Sequence, residues 1–482
     1  MNDLKSMYLI LFISIICCSC SHDISNQPNN TQGTNKRILT YLTTSTKLGL
    51  ISNQHLSELI EKSEPIHSGI GGTSVLLKID GISIFAKKIP LTDIEMSPEN
   101  IMSTANIFKL PLHYQYGIGS AGFGAWRELA ANVMTTDWVL RDECPNFPIM
   151  YHWRILLNST SKILPTSFKE GYSLRLIYNT GGDSLNSIKQ GELGLFYEGN
   201  KLYCKVHGKE KMQIIKADGT NIQGIDSRSY DRIIKSLQGV KKETLLANFG
   251  NIEEEDRAAL FQFTSLCGYI PSKLDRFIEY WGGSPAIRAR LEAITNASAS
   301  LVLFLEYIPE TLEHWIDKQF IKKGNINESA IIMVENNLKE ITSFIRKRGL
   351  LHFDAHFRNI LTDGHRLYLA DFGLATSTAF KLSEAENNFL EAHRNYDQCY
   401  TMGQLITRLG TIFFGKENFK AKLHEYALKK GERLKSSLAT SIITHNVQNW
   451  IMINTFLDRL KNEIRYSYRN SFLPRFVAVD CK

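Results

Sequence analysis

Cysteine is scarce in this sequence, and its few copies form no framework. Eight cysteines are spread over 482 residues, with Cys17, Cys18 and Cys20 together near the start and Cys144, Cys204, Cys267, Cys399 and Cys481 scattered behind them. That excludes a small disulfide scaffold, and the scattered cysteines are expected to be buried or free thiols. No cysteine–histidine spacing suits a structural zinc, and no internal repeat points to a solenoid. A strong charge imbalance is also missing. The net charge of +7 tolerates an anionic ligand or surface and does not argue for nucleic acid. A membrane-length apolar run is lacking as well: Met7 to Cys18 is too short for a comfortable span.

What is present divides the chain into five regions. Residues 1–37 read as a targeting segment and tether. Lys5 followed by MYLILFISIICC fits a signal h-region, and Cys20 after Ser19 is similar to a bacterial lipoprotein cleavage site. The polar stretch SHDISNQPNNTQGTNK behind it lacks the apolar residues to fold and is expected to be disordered. Residues 38–157 carry strand-like runs and a helix. LLKIDGISIFAKKIPL predicts a hairpin about Asp80-Gly81, WRELAANVMTTDWVL a helix, and FPIMYHWRILL a strand.

Residues 158–250 change character. Short apolar runs separated by Gly199-Asn200, Gly208 and Asp218-Gly219 predict a small lysine-rich antiparallel meander, read as an inserted module with a solvated basic face. Residues 251–308 supply helix SPAIRARLEAI and buried strand LVLFLEYI. Residues 309–482 are mainly helical, with ESAIIMVENNLKEITSFIRKRG closed by Gly349 as C-cap. The fold class expected is α+β.

The stretch HFDAHFRNILTDGHRLYLADFG, residues 352–373, sets His352, Asp354, His356, Asn359 and Asp371 into an apolar frame. Two short strands, at Ile360-Leu361 and at Leu367–Ala370, place Asn359 and Asp371 at neighbouring loop ends. Two oxygen ligands can converge there on one ion, and Mg²⁺ prefers a few protein oxygens completed by phosphate oxygens. Asp354 lies on the same loop as Asn359 and can face a hydroxyl that must lose its proton.

These motifs resemble the protein kinase-like superfamily. His352-x-Asp354-x-x-x-x-Asn359 is similar to its catalytic loop, and Asp371-Phe372-Gly373 to its metal-binding motif. The resemblance covers most of residues 60–410, apart from the 158–250 insertion, and implies a bilobal fold using ATP and Mg²⁺. Asp354 would then be the catalytic base, and Asn359 and Asp371 the metal ligands. Gly69, Gly71 and Gly72, in GIGGTS, stand where the glycine-rich phosphate loop belongs, with Ser74 in place of its third glycine. Lys87 or Lys88 would be the phosphate lysine. Lys88 shares a strand face with Ala86, as in the Val-Ala-x-Lys pattern, and Lys87 shares one with Phe85. The reading favours Lys87 and leaves Lys88 open.

Glu128 would orient that lysine, the backbone at Glu306 and Tyr307 would meet the adenine edge, and Asp397 would brace the catalytic loop from below. A second motif, Gly117-Ile118-Gly119-Ser120-Ala121-Gly122, fits a dinucleotide fingerprint but lacks the strand–helix–strand series that would support it. It is read as a flexible loop near the phosphates.

Departures from the family pattern narrow the expectation. Phe353 replaces the arginine that reads an activation-loop phosphate in regulated protein kinases. His356 stands where aminoglycoside phosphotransferases and the ubiquinone-biosynthesis kinase-like family carry histidine. No Ala-Pro-Glu motif follows Gly373. The resemblance therefore implies an atypical bacterial serine/threonine kinase acting on a protein. The alternatives are a kinase for a small hydroxylated molecule and a catalytically idle scaffold whose basic insert holds an acidic partner. ATP is scarce outside the bacterial cytoplasm, while the N-terminal segment points outward. The segment is then a membrane anchor with the domain facing the cytoplasm, part of an effector delivered to a host cell, or not a signal.

Overall fold

The computed structural model describes residues 31–69, 72–158, 273–322 and 324–463, together with strand segments at 173–174, 192–198, 201–206 and 212–215. The chain is mixed α+β: an N-terminal antiparallel five-strand sheet followed by a largely helical C-terminal region, consistent with a two-lobe arrangement.

Two helices lead in, α1 (Thr31–Leu50) and α2 (Asn53–Lys62). The first begins inside the stretch expected to be a disordered tether. It packs by a narrow stripe, Thr44 and Leu48, one helical turn apart, so tertiary contact rather than apolar content holds it. The expected targeting signal, residues 1–20, lies outside the described residues. Among the described residues no helix is long and apolar enough to cross a membrane.

The sheet is built from β1 (Pro65–Gly69), β2 (Gly72–Ile79), β3 (Ile82–Leu91), β4 (Met150–Leu157) and, far along the chain, β9 (Ala299–Glu306), in the order β1-β2-β3-β9-β4. The β2–β3 hairpin turns at Asp80-Gly81, where both residues take positive φ, 49° and 80°. That conformation suits a two-residue turn whose twist matches the strands, and it is why Asp-Gly occurs there. Central strand β9 is buried from Ala299 to Leu305, as a strand covered on both faces must be. Between β3 and β4 run a long irregular segment, a turn of 3-10 helix at Leu112–Gln115, and α3 (Ala125–Leu140). The segment 158–250 shows β5 (Ser173–Leu174), β6 (Glu192–Glu198), β7 (Lys201–Val206) and β8 (Met212–Ile215), with β6, β7 and β8 antiparallel in sequence order.

The C-terminal region comprises α4 (Lys273–Tyr280), α5 (Pro285–Thr295), α6 (Leu312–Gln319), α7 (Glu328–Lys347), α8 (Glu384–Ala392), α9 (Tyr396–Ala427) and α10 (Ser437–Glu463). Helix α7 ends at Gly349, whose φ of 68° is the left-handed conformation glycine supplies at a helix end. Short strands thread between the helices: β10 (Glu310–Thr311), β11 (Ile321–Lys322), β12 (Asn325–Ile326), β13 (Leu350–Leu351), β14 (Ile360–Thr362), β15 (Leu367–Leu369) and β16 (Thr376–Ser377). Cys144 is a buried free thiol. Cys399 is disulfide-bonded, a correction to the expectation of thiols throughout.

A buried aromatic cluster ties the irregular segment before α3 to the helical region. Tyr116 packs against Phe353, Phe389 and Tyr396, and its hydroxyl lies 2.6 Å from His393 Nε2. Arg127 of α3 donates to Glu386 of α8 at 2.6 Å, with both side chains nearly fully buried. The N-terminus of α3 is held by Glu95, whose Oε1 accepts from the Ala125 N–H at 2.7 Å.

Candidate functional site

Three segments far apart in sequence meet at one ammonium group. Lys87, on β3, donates to Glu128 Oε1 of α3 at 2.6 Å and to Asp371 Oδ1 at 2.7 Å. The Lys87 and Glu128 side chains are 11% and 5% exposed, whereas Asp371 is about half exposed, so the cluster faces an opening on the Asp371 side. Burial works to lower the Lys87 ammonium, but Asp371 and Glu128 outweigh it and hold it above its ordinary value. Burial likewise works to raise Asp371, and the Lys87 charge overrides it, keeping that carboxyl down at about 2. Lys88, its neighbour on the strand, points elsewhere. Burial lowers it and only Glu61 offsets this. The strand alternation thus turns Lys87, and not Lys88, toward Glu128 and Asp371.

Asp371 opens a short turn in the left-handed region, φ 63° and ψ 76°, and Phe353 is left-handed too, at φ 60°. Non-glycine residues hold this conformation only where their surroundings fix it. The restraint on Phe353 is visible. Fully buried Asp397 accepts the N–H groups of His352 at 2.6 Å and Phe353 at 2.9 Å. His352 then bridges the two strained turns. Its Nδ1 accepts from the Asp354 N–H at 3.2 Å, while Nε2 lies 2.9 Å from the Ala370 carbonyl. Burial pushes this imidazole down to about 4, so it is neutral and structural at ordinary pH.

Asp354 and Asn359 sit together on the loop so braced. Asn359 Nδ2 donates to the Asp354 carbonyl at 3.0 Å and to its Oδ2 at 3.1 Å. Its backbone carbonyl accepts from Ala370, directly before Asp371, at 2.9 Å. The amide nitrogen is thereby committed to Asp354, leaving the amide oxygen for another partner. His356 Nε2 lies 3.8 Å from Asp354 Oδ2. Burial, with the nearby Asp371 charge adding to it, pushes Asp354 up to about 7, a range suited to a group that takes and returns protons near neutrality. Asn359 and Asp371 are hard oxygen donors on adjacent turns, a donor set that fits Mg²⁺ completed by non-protein oxygens. Among the described residues no group of three or more His, Cys, Asp or Glu could hold a metal ion.

The other expected positions lie around the five-strand sheet. Of the glycine loop, Gly69 ends β1 and Gly72 starts β2, while Gly71 lies outside the described residues. The Glu306 N–H is taken by the Ile149 carbonyl at 2.8 Å, and its side chain is gripped by Arg37 of α1. Arg37 donates to both Glu306 oxygens, at 3.0 and 2.6 Å, and to the Pro145 and Phe147 carbonyls. Tyr307, partly buried, directly follows that strand.

The Gly117–Gly122 motif lies directly on the site. A Cβ at Gly117 would collide with Asp354 Oδ1, and one at Gly122 with the Gly373 carbonyl. These glycines let a backbone pass where no side chain fits. Sequence reading did not place Arg37 or Gln404, whose amide donates to the Ala355 carbonyl at 3.0 Å and accepts from the Phe357 N–H at 3.1 Å. No signal marks either one, because each works on a partner distant in sequence. No protein-family model matches the chain, and no curated protein is significantly similar to it.

Proposed function

We propose that the chain is an ATP- and Mg²⁺-dependent phosphotransferase of protein kinase-like bilobal fold, transferring the terminal phosphate to a hydroxyl of a protein serine or threonine. The observation that carries this reading is the convergence of Lys87, Glu128 and Asp371 on one ion-pair cluster beside the Asp354–Asn359 pair. Phosphoryl transfer asks for positioning and charge neutralisation more than for covalent chemistry. Lys87, fixed by Glu128, would hold phosphate oxygens. Asn359 and Asp371 would hold Mg²⁺, which when bound supplies charge neutralisation on the phosphates. Asp354 would orient the acceptor hydroxyl and take its proton, aided by a carboxyl raised to about 7.

A second reading, a kinase for a small hydroxylated molecule, is favoured by one feature. The Gly117–Gly122 backbone lies against Asp354 and Gly373 and narrows the approach to the base. The catalytically idle scaffold is the less economical reading, since a scaffold has no use for the Lys87, Asp354, Asn359 and Asp371 set. The reading is tested by titrating the full chain with a non-hydrolysable ATP analogue, with and without Mg²⁺, beside Asp371→Ala. The expected result is Mg²⁺-dependent binding that the substitution abolishes; unaltered binding overturns the assignment.

A further inference from the structure

On the helical region, away from the Lys87 cluster, a cavity of about 770 Å³ opens where the end of α7 meets the turn between α8 and α9. Four cations line it, Arg346, Lys347, Arg348 and Arg394, against one carboxylate, Glu391. Arg394 pairs with Glu391 at 3.2 Å, and Arg348 pairs with Glu143 outside the cavity. Among the described residues Arg346 has only a neutral partner, Asn395 Oδ1 at 2.7 Å. Lys347 meets no carboxylate among the described residues. The helix dipole accounts for cations in the last turn of α7. Arg394 comes from a different element, just past the C-cap of α8, so two chain segments bring cations to one cavity.

We propose that this cavity binds a small phosphorylated anion at a site separate from the Lys87 cluster. Guanidinium groups from two segments suit phosphate oxygens, which they can grip in pairs. The volume is that of a small-molecule site rather than a single-ion dimple. The exposed Thr378 also lines the cavity, so the phosphate has two sources: a free ligand, or a phosphate carried by Thr378 itself. The cavity's Leu350 and Leu351 form β13, which leads into His352 and pairs with β16 just after Gly373. An occupant would therefore brace the two paired strands that flank the segment holding Asp354 and Asp371.

The test uses the full chain without nucleotide, titrated calorimetrically with inorganic pyrophosphate and with inositol hexakisphosphate. The double variant Arg346→Glu/Arg394→Glu is expected to bind at least one of these about tenfold more weakly or worse, while Lys430→Glu, a charge reversal on an exposed lysine elsewhere, leaves binding unchanged. Arg346→Gln/Arg394→Gln, checked by circular dichroism, covers the case in which charge reversal prevents folding. A second arm incubates the chain with Mg²⁺ and ATP and reads intact mass. A phosphate that Thr378→Val removes, and that blocks pyrophosphate binding, assigns the occupant to the chain itself. Absence of both signals, or binding indifferent to Arg346 and Arg394, overturns the proposal. Because the first arm needs no turnover, its failure is distinct from failure of the phosphotransferase reading.

Discussion

Arg37→Ala removes the contact by which the leading helix holds the end of the central strand. The guanidinium makes five hydrogen bonds, three to the Glu306 carboxylate and one each to the Pro145 and Phe147 carbonyls, between 2.6 and 3.2 Å. The two side chains are only 13% and 15% exposed. Alanine leaves Glu306 charged with the Ile149 N–H, at 3.1 Å, as its remaining side-chain donor. It also strands two carbonyls. Breaking one partner of a buried pair costs about 3–5 kcal/mol. The residual exposure lets water reach Glu306, so a loss of about 2–4 kcal/mol is expected. Urea unfolding of the full chain measures it as a fall in midpoint at constant slope. Arg37→Lys should recover only part, because an ammonium cannot match the planar fork. Adding Glu306→Gln to Arg37→Ala should recover more by removing the stranded charge. An Arg37→Ala variant within about 0.5 kcal/mol of the parent, the range of an ordinary surface change, refutes the reasoning.

Gly117→Ala is expected to leave the fold in place but lower turnover about a hundredfold, since the new methyl displaces the Asp354 carboxylate and a 1 Å misplacement costs about that much. Steady-state kinetics beside a thermal melt checks it, and parent-like turnover means the loop does not rest on Asp354. Asp397→Asn should remove a pH dependence of stability. Burial raises the folded carboxyl to about 6, above an unfolded value of about 3.9. The folded state therefore holds the proton more tightly. The stability this contributes is full below pH ~4 and is lost as pH rises through about 6. Urea midpoints at several pH values, compared between parent and variant, should differ in slope within that window and run parallel above it.

Local chemistry made much of the fold legible. Asp80-Gly81 requires positive φ and so marks its hairpin. Gly349 ends α7 by the same logic, and apolar spacing outlines α3 and β9. The candidate site was legible where function compresses it into a short stretch, from His352 to Gly373. What stayed hidden depends on distance along the chain. Arg37 lies 269 positions from Glu306, in a stretch whose polarity reads as disorder, and only the tertiary contact makes it helical. The Gly117–Gly122 motif was visible as a motif, but spacing could place it only near the phosphates. Its seat on Asp354 follows from the long path between β3 and α3, which no periodicity encodes. Lys87 and Lys88 were separable only by which face of β3 meets α3.

The most direct measurement incubates the full chain with γ-labelled ATP and Mg²⁺ in a cell extract, beside an Asp354→Ala control. The account predicts Mg²⁺-dependent transfer of label to an acceptor, protein or small molecule, that the control lacks. Its contradiction is a folded parent chain that neither transfers label nor consumes ATP, or a control that does so as well as the parent.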